Sequence, residues 1–113
     1  TYTLVSMKLA IILSTKKVET NWNALRLANL ALKKGDEVSI FLLGEAVEYD
    51  QVNQEKFAIR EQVDIFLQTE KARLVACGTC MTIRHQQNSK TCPMGGIGDL
   101  YALIATSDKV LTF

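Results

Sequence analysis

The sequence predicts an α/β fold in which a mostly parallel sheet of about five strands carries helices on both faces. Residues 9–13 and 37–43 are rich in apolar side chains without strict alternation, which is typical of strands buried on both sides of a parallel sheet. Segments with helical periodicity, such as residues 22–34, lie between such runs. Parallel strands need crossover connections of this kind, and their helices cover the faces of the sheet.

The first half of the chain contains two predicted strands joined by a helix. A polar loop at residues 14–20 follows the first strand. Thr20 or Asn21 can cap a helix over residues 22–34, and Gly35 can end it. Apolar side chains cover more of this helix than the roughly 100° that a surface helix needs. The additional apolar surface of this helix is covered either by a second subunit or by neighbouring elements of the same domain.

The second half of the chain continues the alternation. A loop at residues 44–50, at the carboxyl end of the second strand, leads to a helix over residues 54–69, in which apolar side chains recur at core-face spacing. Residues 74–76 form a short third strand that leads into Cys77. Turn-forming residues follow the cysteine segment and are expected to bring the chain back near Cys77, with room near Cys92 for a short fourth strand that propensity does not show. A helix over residues 100–105 and a strand at residues 109–113 complete the pattern.

Length, composition and charge limit the class of protein. The 113 residues suit one domain with one core, spanning residues 1–113, with residues 1–6 as a candidate N-terminal extension. Lys and Arg total 13 against 12 Asp and Glu, so the chain lacks the basic surplus of a nucleic-acid-binding protein. No apolar run approaches the roughly 20 residues that cross a bilayer, and we find no signal-peptide pattern. We therefore expect a cytoplasmic protein, whose clustered cysteines are more often reactive or metal-binding than structural.

Cys77 is the main candidate for chemistry, because it falls where a strand is expected to end and a helix to begin. Thiolate is the reactive form of cysteine, and free backbone N–H groups at a helix start stabilise it. A persulfide anion gains from the same groups, and Gly78 lets the backbone approach closely. We expect the N–H groups of Gly78, Thr79 and the next two residues to stabilise the anion, with longer-range help from Arg84 and His85.

The cysteine pattern leaves three thiol chemistries open. Cys77 can cycle between thiolate and persulfide in sulfur transfer, or it can exchange a disulfide with Cys80 through a C-x-x-C motif. Thioredoxin-like proteins share the local order of strand, C-G-x-C and helix, but this chain shows no closing β-hairpin. The third chemistry is a zinc or iron–sulfur site completed by His85 and Cys92, whose spacing matches no structural zinc pattern. Alternatively, Cys80 and Cys92 are small buried or incidental residues.

Five segments of the chain fit one known pattern. They are the opening strand, the first helix, Gly44-Glu45-Ala46-Val47 after the second strand, Ile83-Arg84 in the helix after Cys77, and the final segment at residues 108–113. Together they resemble the DsrE/DsrF-like family, which includes the sulfur-relay Tus proteins, over nearly all of residues 7–113. The resemblance implies a flavodoxin-like three-layer fold and assembly into trimers or hexamers. It also implies a persulfide-carrying cysteine directly after the third strand, and Cys77 occupies that position.

The expected protein is a small sulfurtransferase-like carrier without a cofactor or a resident metal. Cys77 would take sulfane sulfur from a donor protein and pass it to the thiol of an acceptor protein, while Cys80 could resolve the persulfide by attack. Cys80 and Cys92 lie outside the family pattern and suggest a subgroup with a second thiol. We expect a homotrimer or homohexamer that binds neither nucleic acid nor a membrane. The alternatives are a non-catalytic metal-binding or regulatory oligomer and a C-x-x-C dithiol oxidoreductase.

Overall fold

The computed structural model describes residues 6–51 and 56–113, and these residues form a five-stranded sheet flanked by helices. Residues 1–5 of the candidate N-terminal extension lie outside the described ranges. Each neighbouring pair of strands is parallel, in the spatial order β4-β3-β2-β1-β5. The predicted parallel sheet is therefore confirmed. The strands are β1 (Lys8–Leu13), β2 (Glu37–Leu42), β3 (Ala72–Cys77), β4 (Met94–Gly95) and β5 (Lys109–Thr112).

Four α-helices and one 3₁₀ helix connect the strands in the described part of the chain. The chain crosses the sheet from β1 to β4 in one direction and then returns to β5 on the other side of β1. Because such crossovers are right-handed, the helices before β4 lie on one face and the helix before β5 lies on the other. The flavodoxin-like three-layer arrangement is thus confirmed. The helices are α1 (Val18–Lys33), the 3₁₀ helix (Gly44–Gln51), α2 (Ile59–Gln68), α3 (Gly78–Ile83) and α4 (Ile97–Thr106).

Helix α1 begins at Val18, so the predicted start at Trp22 is wrong and Thr20 and Asn21 lie inside the helix. The reason is burial, because Val18 and Asn21 both face the interior. The side-chain amide of Asn21 donates a hydrogen bond of 2.8 Å to the Thr15 carbonyl. Packing of the first turn therefore outweighs the preference of Thr and Asn for the capping position.

The rest of α1 agrees better with the sequence. Gly35 has a left-handed backbone with φ of +97°, which confirms it as the residue that ends the helix. Most apolar side chains of α1 are buried within the domain, whereas Leu27 and Leu30 are 40% and 49% exposed. Neighbouring elements thus cover most of the wide apolar face, and two leucines of that face remain at the surface.

The predicted loop at residues 44–50 is wrong, because these residues form the 3₁₀ helix. Ala46, Val47 and Tyr49 are buried and pack this helix into the core. Helix α2 starts at Ile59, so the predicted helix is wrong over residues 56–58, but its core face agrees with the predicted one. Residues 54 and 55 of the predicted helix lie outside the described ranges. None of the described helices is long and apolar enough to cross a bilayer.

Strand β4 has only two residues, and its neighbours determine its position. The Ala76 N–H donates to the Pro93 carbonyl at 2.8 Å, and Cys77 pairs in register with Gly95. Helix α4 follows at once, and the carboxylate of Asp99 in its first turn accepts the Gly96 N–H at 2.7 Å. The expected return of the chain to Cys77 is therefore confirmed.

Gly95 is placed where a larger residue does not fit. A Cβ atom there would collide with the Val75 side chain and would lie 2.9 Å from the Asp99 carboxylate. A Cβ atom on Gly98, in the first turn of α4, would meet no atom within 4 Å. An alanine substitution removes backbone flexibility at both glycines, but it causes a steric clash only at Gly95. Comparison of the two variants therefore isolates the effect of close packing.

The Gly95→Ala substitution is predicted to lower the free energy of unfolding by about 1–3 kcal/mol, because overpacking forces its neighbours to move. Gly98→Ala is the control and is expected to leave stability unchanged or to raise it slightly, since Ala is the better helix former. Urea denaturation of both variants measures the difference. Equal stability of Gly95→Ala and the wild-type protein would contradict this account of β4.

Candidate functional site

Cys77 is both the last residue of β3 and the N-cap of α3. Its Sγ atom accepts a hydrogen bond from the Cys80 backbone N–H at 3.4 Å. The Thr79 N–H also acts on this sulfur in a direction that favours negative charge. These N–H groups lack partners within the helix because they belong to its first turn, so the strand end places Sγ where they are free to bind it.

Burial acts on Cys77 in the opposite direction. The residue is only 5% exposed. Burial raises the pKa of the Cys77 thiol, and a hydrogen bond with the Cys80 side chain raises it further. The N–H groups of Cys80 and Thr79 lower the pKa, but by less. The neutral thiol is therefore favoured at Cys77, although the sequence alone suggested a thiolate stabilised at a helix start.

Cys80 lies in the first turn of α3 and is partly exposed. Its Sγ atom accepts a hydrogen bond of 3.3 Å from the Gly44 N–H. Gly44 begins the 3₁₀ helix after β2 and has a left-handed backbone with φ of +57°. Because β2 and β3 are parallel neighbours, the segments that leave their carboxyl ends meet at one edge of the sheet.

Sequence reasoning did not assign Gly44 to the site. The one available signal is that this residue begins the segment that leaves the carboxyl end of the second strand. That signal predicts that the loop is near the other strand ends, but it does not predict which N–H group contacts a cysteine.

Gly78 allows the close approach of β4 to the start of α3. A Cβ atom at Gly78 would lie 2.8 Å from the Met94 Cγ atom and 3.2 Å from the Gly95 carbonyl oxygen. Met94 is itself about half exposed and covers the backbone next to Cys77. Gly78 therefore shapes the site through packing, in addition to the anion-stabilising role that the sequence predicts for its N–H group.

Arg84 lies at the other end of α3. Its Nε atom pairs with the Glu48 carboxylate at 3.1 Å, and its Nη1 atom donates to the Cys80 carbonyl at 3.1 Å. The guanidinium group therefore joins α3 to the 3₁₀ helix, and Glu48 balances its charge. The stabilisation of an anion by Arg84 stays a prediction. His85 is exposed and follows α3 with φ of +54°.

Cys92 occupies a different environment from the C-x-x-C pair. It is fully buried, and its thiol donates to the Val47 carbonyl at 3.4 Å. Burial, followed by the negative charge of Asp50, raises the pKa of Cys92 to about 11. The neighbouring Thr91 carbonyl accepts a hydrogen bond of 2.9 Å from the Tyr49 hydroxyl. Cys92 thus belongs to the packing between the 3₁₀ helix and the segment before β4.

The described residues contain no cluster of three or more His, Cys, Asp or Glu side chains that could hold a metal ion. Cys77 and Cys80 interact with each other, whereas Cys92 bonds to a backbone carbonyl and His85 faces solvent. The candidate site is therefore a pair of thiols, Cys77 and Cys80, whose sulfur atoms accept hydrogen bonds from backbone N–H groups.

Comparison with known proteins assigns the chain to a family. The model of the DsrE/DsrF-like family matches residues 7–113, and the chain belongs to this family. The crystal structure of the YchN protein from E. coli is similar, with a TM-score of 0.79 and 22% sequence identity. The match covers 96% of this chain and 100% of that one, and at this identity it shows a shared fold. No curated protein matches the sequence.

The environment of Cys92 predicts slow alkylation of the folded protein. At about pH 8, a thiol with a pKa of about 11 is only about one-thousandth thiolate, and thiolate is the form that reacts. Mass spectrometry after brief iodoacetamide treatment should show Cys92 unmodified while Cys80 reacts, and the Cys92 rate should rise with pH until its pKa is reached. Denatured protein, in which all three cysteines react alike, is the control. Modification of Cys92 at the rate of Cys80 in folded protein would contradict the prediction.

Proposed function

We propose that this protein is a cytoplasmic sulfur carrier that holds sulfane sulfur as a persulfide on Cys77 and passes it to a partner thiol. One observation carries the proposal: a cysteine Sγ lies against free backbone N–H groups at the carboxyl end of β3, in a member of the DsrE/DsrF-like family. Individual N–H groups, and not a helix dipole, would stabilise the persulfide, since α3 has only six residues.

Loading is a displacement at the outer sulfur of a donor persulfide. A thiolate of the Cys77–Cys80 pair forms a bond to that sulfur, the donor's S–S bond breaks, and the donor leaves as a thiolate with the electron pair. The transferred sulfur is then held on Cys77. The new persulfide anion extends beyond Sγ, where the N–H groups of Gly78, Thr79 and Cys80 stabilise its charge. Unloading repeats the displacement with the thiolate of an acceptor protein. Arg84 supports the site by fixing the Cys80 carbonyl.

Cys80 offers a second outcome for the same persulfide. Its thiolate can attack the Cys77 Sγ atom, which forms a Cys77–Cys80 disulfide and releases the outer sulfur as hydrosulfide. The two residues are neighbours at the start of α3, where the Cys80 backbone N–H contacts the Cys77 Sγ atom at 3.4 Å and the Cys80 side chain raises the pKa of Cys77. Dithiol–disulfide exchange by the pair is therefore the second candidate function.

The proposed carrier works as a homo-oligomer, either a trimer or a hexamer, and exchanges sulfur with donor and acceptor proteins. Support for self-association comes from the exposed apolar residues between α1 and the edge strand β5. Leu27, Leu30 and Leu111 line one groove there, and apolar atoms form most of its exposed surface, although three charged residues also line it. Burial of such a surface against a second copy would stabilise an assembly.

Persulfide loading of reduced protein tests the proposed function. After incubation with glutathione persulfide and removal of the donor, intact mass should show one added sulfur atom in wild-type protein, and peptide mass should place it on Cys77. Cys77→Ser should retain at least about tenfold less sulfur because the position with the N–H contacts has lost its thiol. Cys92→Ser is the matched control and should load like wild type. A wild-type protein without added sulfur, or a Cys77→Ser variant that retains as much as wild type, would remove the proposal.

The oligomeric state is tested by analytical ultracentrifugation at micromolar concentration. Wild-type protein should sediment as a trimer or hexamer, and Leu30→Glu should shift it towards the monomer because a charge would be buried at the interface. Ile65→Glu is the matched control, since Ile65 on α2 is 46% exposed and Leu30 is 49% exposed. A monomeric wild-type protein would contradict the proposed assembly.

A further inference from the structure

We propose that Cys80 is the thiol that first takes sulfur from the donor, and that Cys77 receives the sulfur from Cys80 and stores it. This inference rests on the proposed carrier function and concerns the route by which sulfur reaches Cys77. It gives Cys80 a direct catalytic role in loading, where the sequence suggested only a role in resolving the persulfide.

The difference in exposure between the two cysteines is the first observation. Cys77 is 5% exposed, and the backbone beside it is covered by Met94 and Gly95. Cys80 is partly exposed in the first turn of α3. Displacement at a donor persulfide needs room for the attacking sulfur, the transferred sulfur and the leaving sulfur along one line. Cys80 offers a donor that room, whereas Cys77 does so only after its cover moves.

The Gly44 N–H is the second observation. It donates to the Cys80 Sγ atom at 3.3 Å from a backbone position that β2 and the left-handed turn at Gly44 hold in place. A fixed N–H group stabilises negative charge on sulfur in the attacking thiolate and in the persulfide that follows. The contact joins residues 36 positions apart, so it is a product of the fold and not of the local helix.

The state of Cys77 agrees with this division of roles. Its pKa is raised by burial and by the hydrogen bond with the Cys80 side chain. The raised pKa disfavours Cys77 as the thiolate that attacks the donor first. Cys77 is suited to storage, because burial limits exchange of its persulfide with small thiols in solution.

The transfer between the cysteines balances without an oxidant. The Cys80 thiolate first forms a bond to the outer sulfur of the donor persulfide, and the donor leaves as a thiolate. The proton on Cys77 then moves to the terminal sulfur of the Cys80 persulfide anion. The Cys77 thiolate attacks that sulfur, the S–S bond on Cys80 breaks, and Cys80 regains its thiolate. The product is a Cys77 persulfide beside a Cys80 thiolate that is ready to react again.

A time-resolved loading experiment tests the route. Wild-type protein is mixed with glutathione persulfide, quenched with iodoacetamide at increasing times, and digested. Fragmentation of the peptide that contains both cysteines locates the added sulfur. We expect sulfur on Cys80 at the earliest times and on Cys77 later. Cys80→Ser should lower the initial rate of uptake by at least about tenfold, because the exposed attacking thiolate is lost. Cys77→Ser should carry sulfur only on Cys80 and only while the donor is present, because the thiol that stores the sulfur is missing.

Circular dichroism checks that each variant is folded, and Cys80→Ala replaces Cys80→Ser if the serine variant is not. Cys92→Ser is the control for a cysteine outside the pair. If Cys77 carries sulfur first, or if folded Cys80 variants load at the wild-type rate, the proposed route is wrong and the carrier function stands. If neither cysteine of wild-type protein gains sulfur, both proposals fail.

Discussion

The parallel register of β2, β3 and β4 fixes the backbone groups that surround the two cysteines. Leu42 pairs with Ala76, so the segment that leaves β2 runs beside the segment that leaves β3. On the other side, Gly95 pairs with Cys77 and brings β4 against the start of α3. The Gly44 N–H therefore contacts Cys80 from one neighbouring strand, and β4 covers Cys77 from the other. A shift of either pairing by one residue would remove these contacts.

Burial and hydrogen bonding act against each other at Cys77, and their balance suits a carrier. Backbone N–H groups can stabilise a sulfur anion, but burial keeps the free thiol protonated. A persulfide is more acidic than the thiol from which it forms, so the same N–H groups have more effect after loading than before. In the proposed carrier, the empty site would react slowly with other reagents, and the N–H groups would favour the loaded state. Cys92 differs from Cys77, because it is fully buried and its thiol donates a hydrogen bond to the Val47 carbonyl. Its role is to pack the core.

Strands and crossover helices are well predicted from this sequence because buried parallel strands are recognisable as apolar runs. β1 and β2 follow such runs closely. Strand β4 could not be predicted from propensity, since two residues are too few to show a periodic pattern. Their position depends on pairing with the edge of β3. The position of Cys77 at a strand end was predictable from local order alone. The Gly44 contact with Cys80 was not, because it depends on tertiary pairing between distant residues.

The central claim is that Cys77 stores sulfur against the backbone N–H groups of α3. A crystal structure of the protein after loading with glutathione persulfide tests it most directly. We predict additional density for one sulfur atom bonded to the Cys77 Sγ atom, with the terminal sulfur within hydrogen-bond distance of the Thr79 or Cys80 N–H. Added sulfur on Cys92 alone, or an unmodified Cys77 in protein whose mass shows loading, would contradict the account.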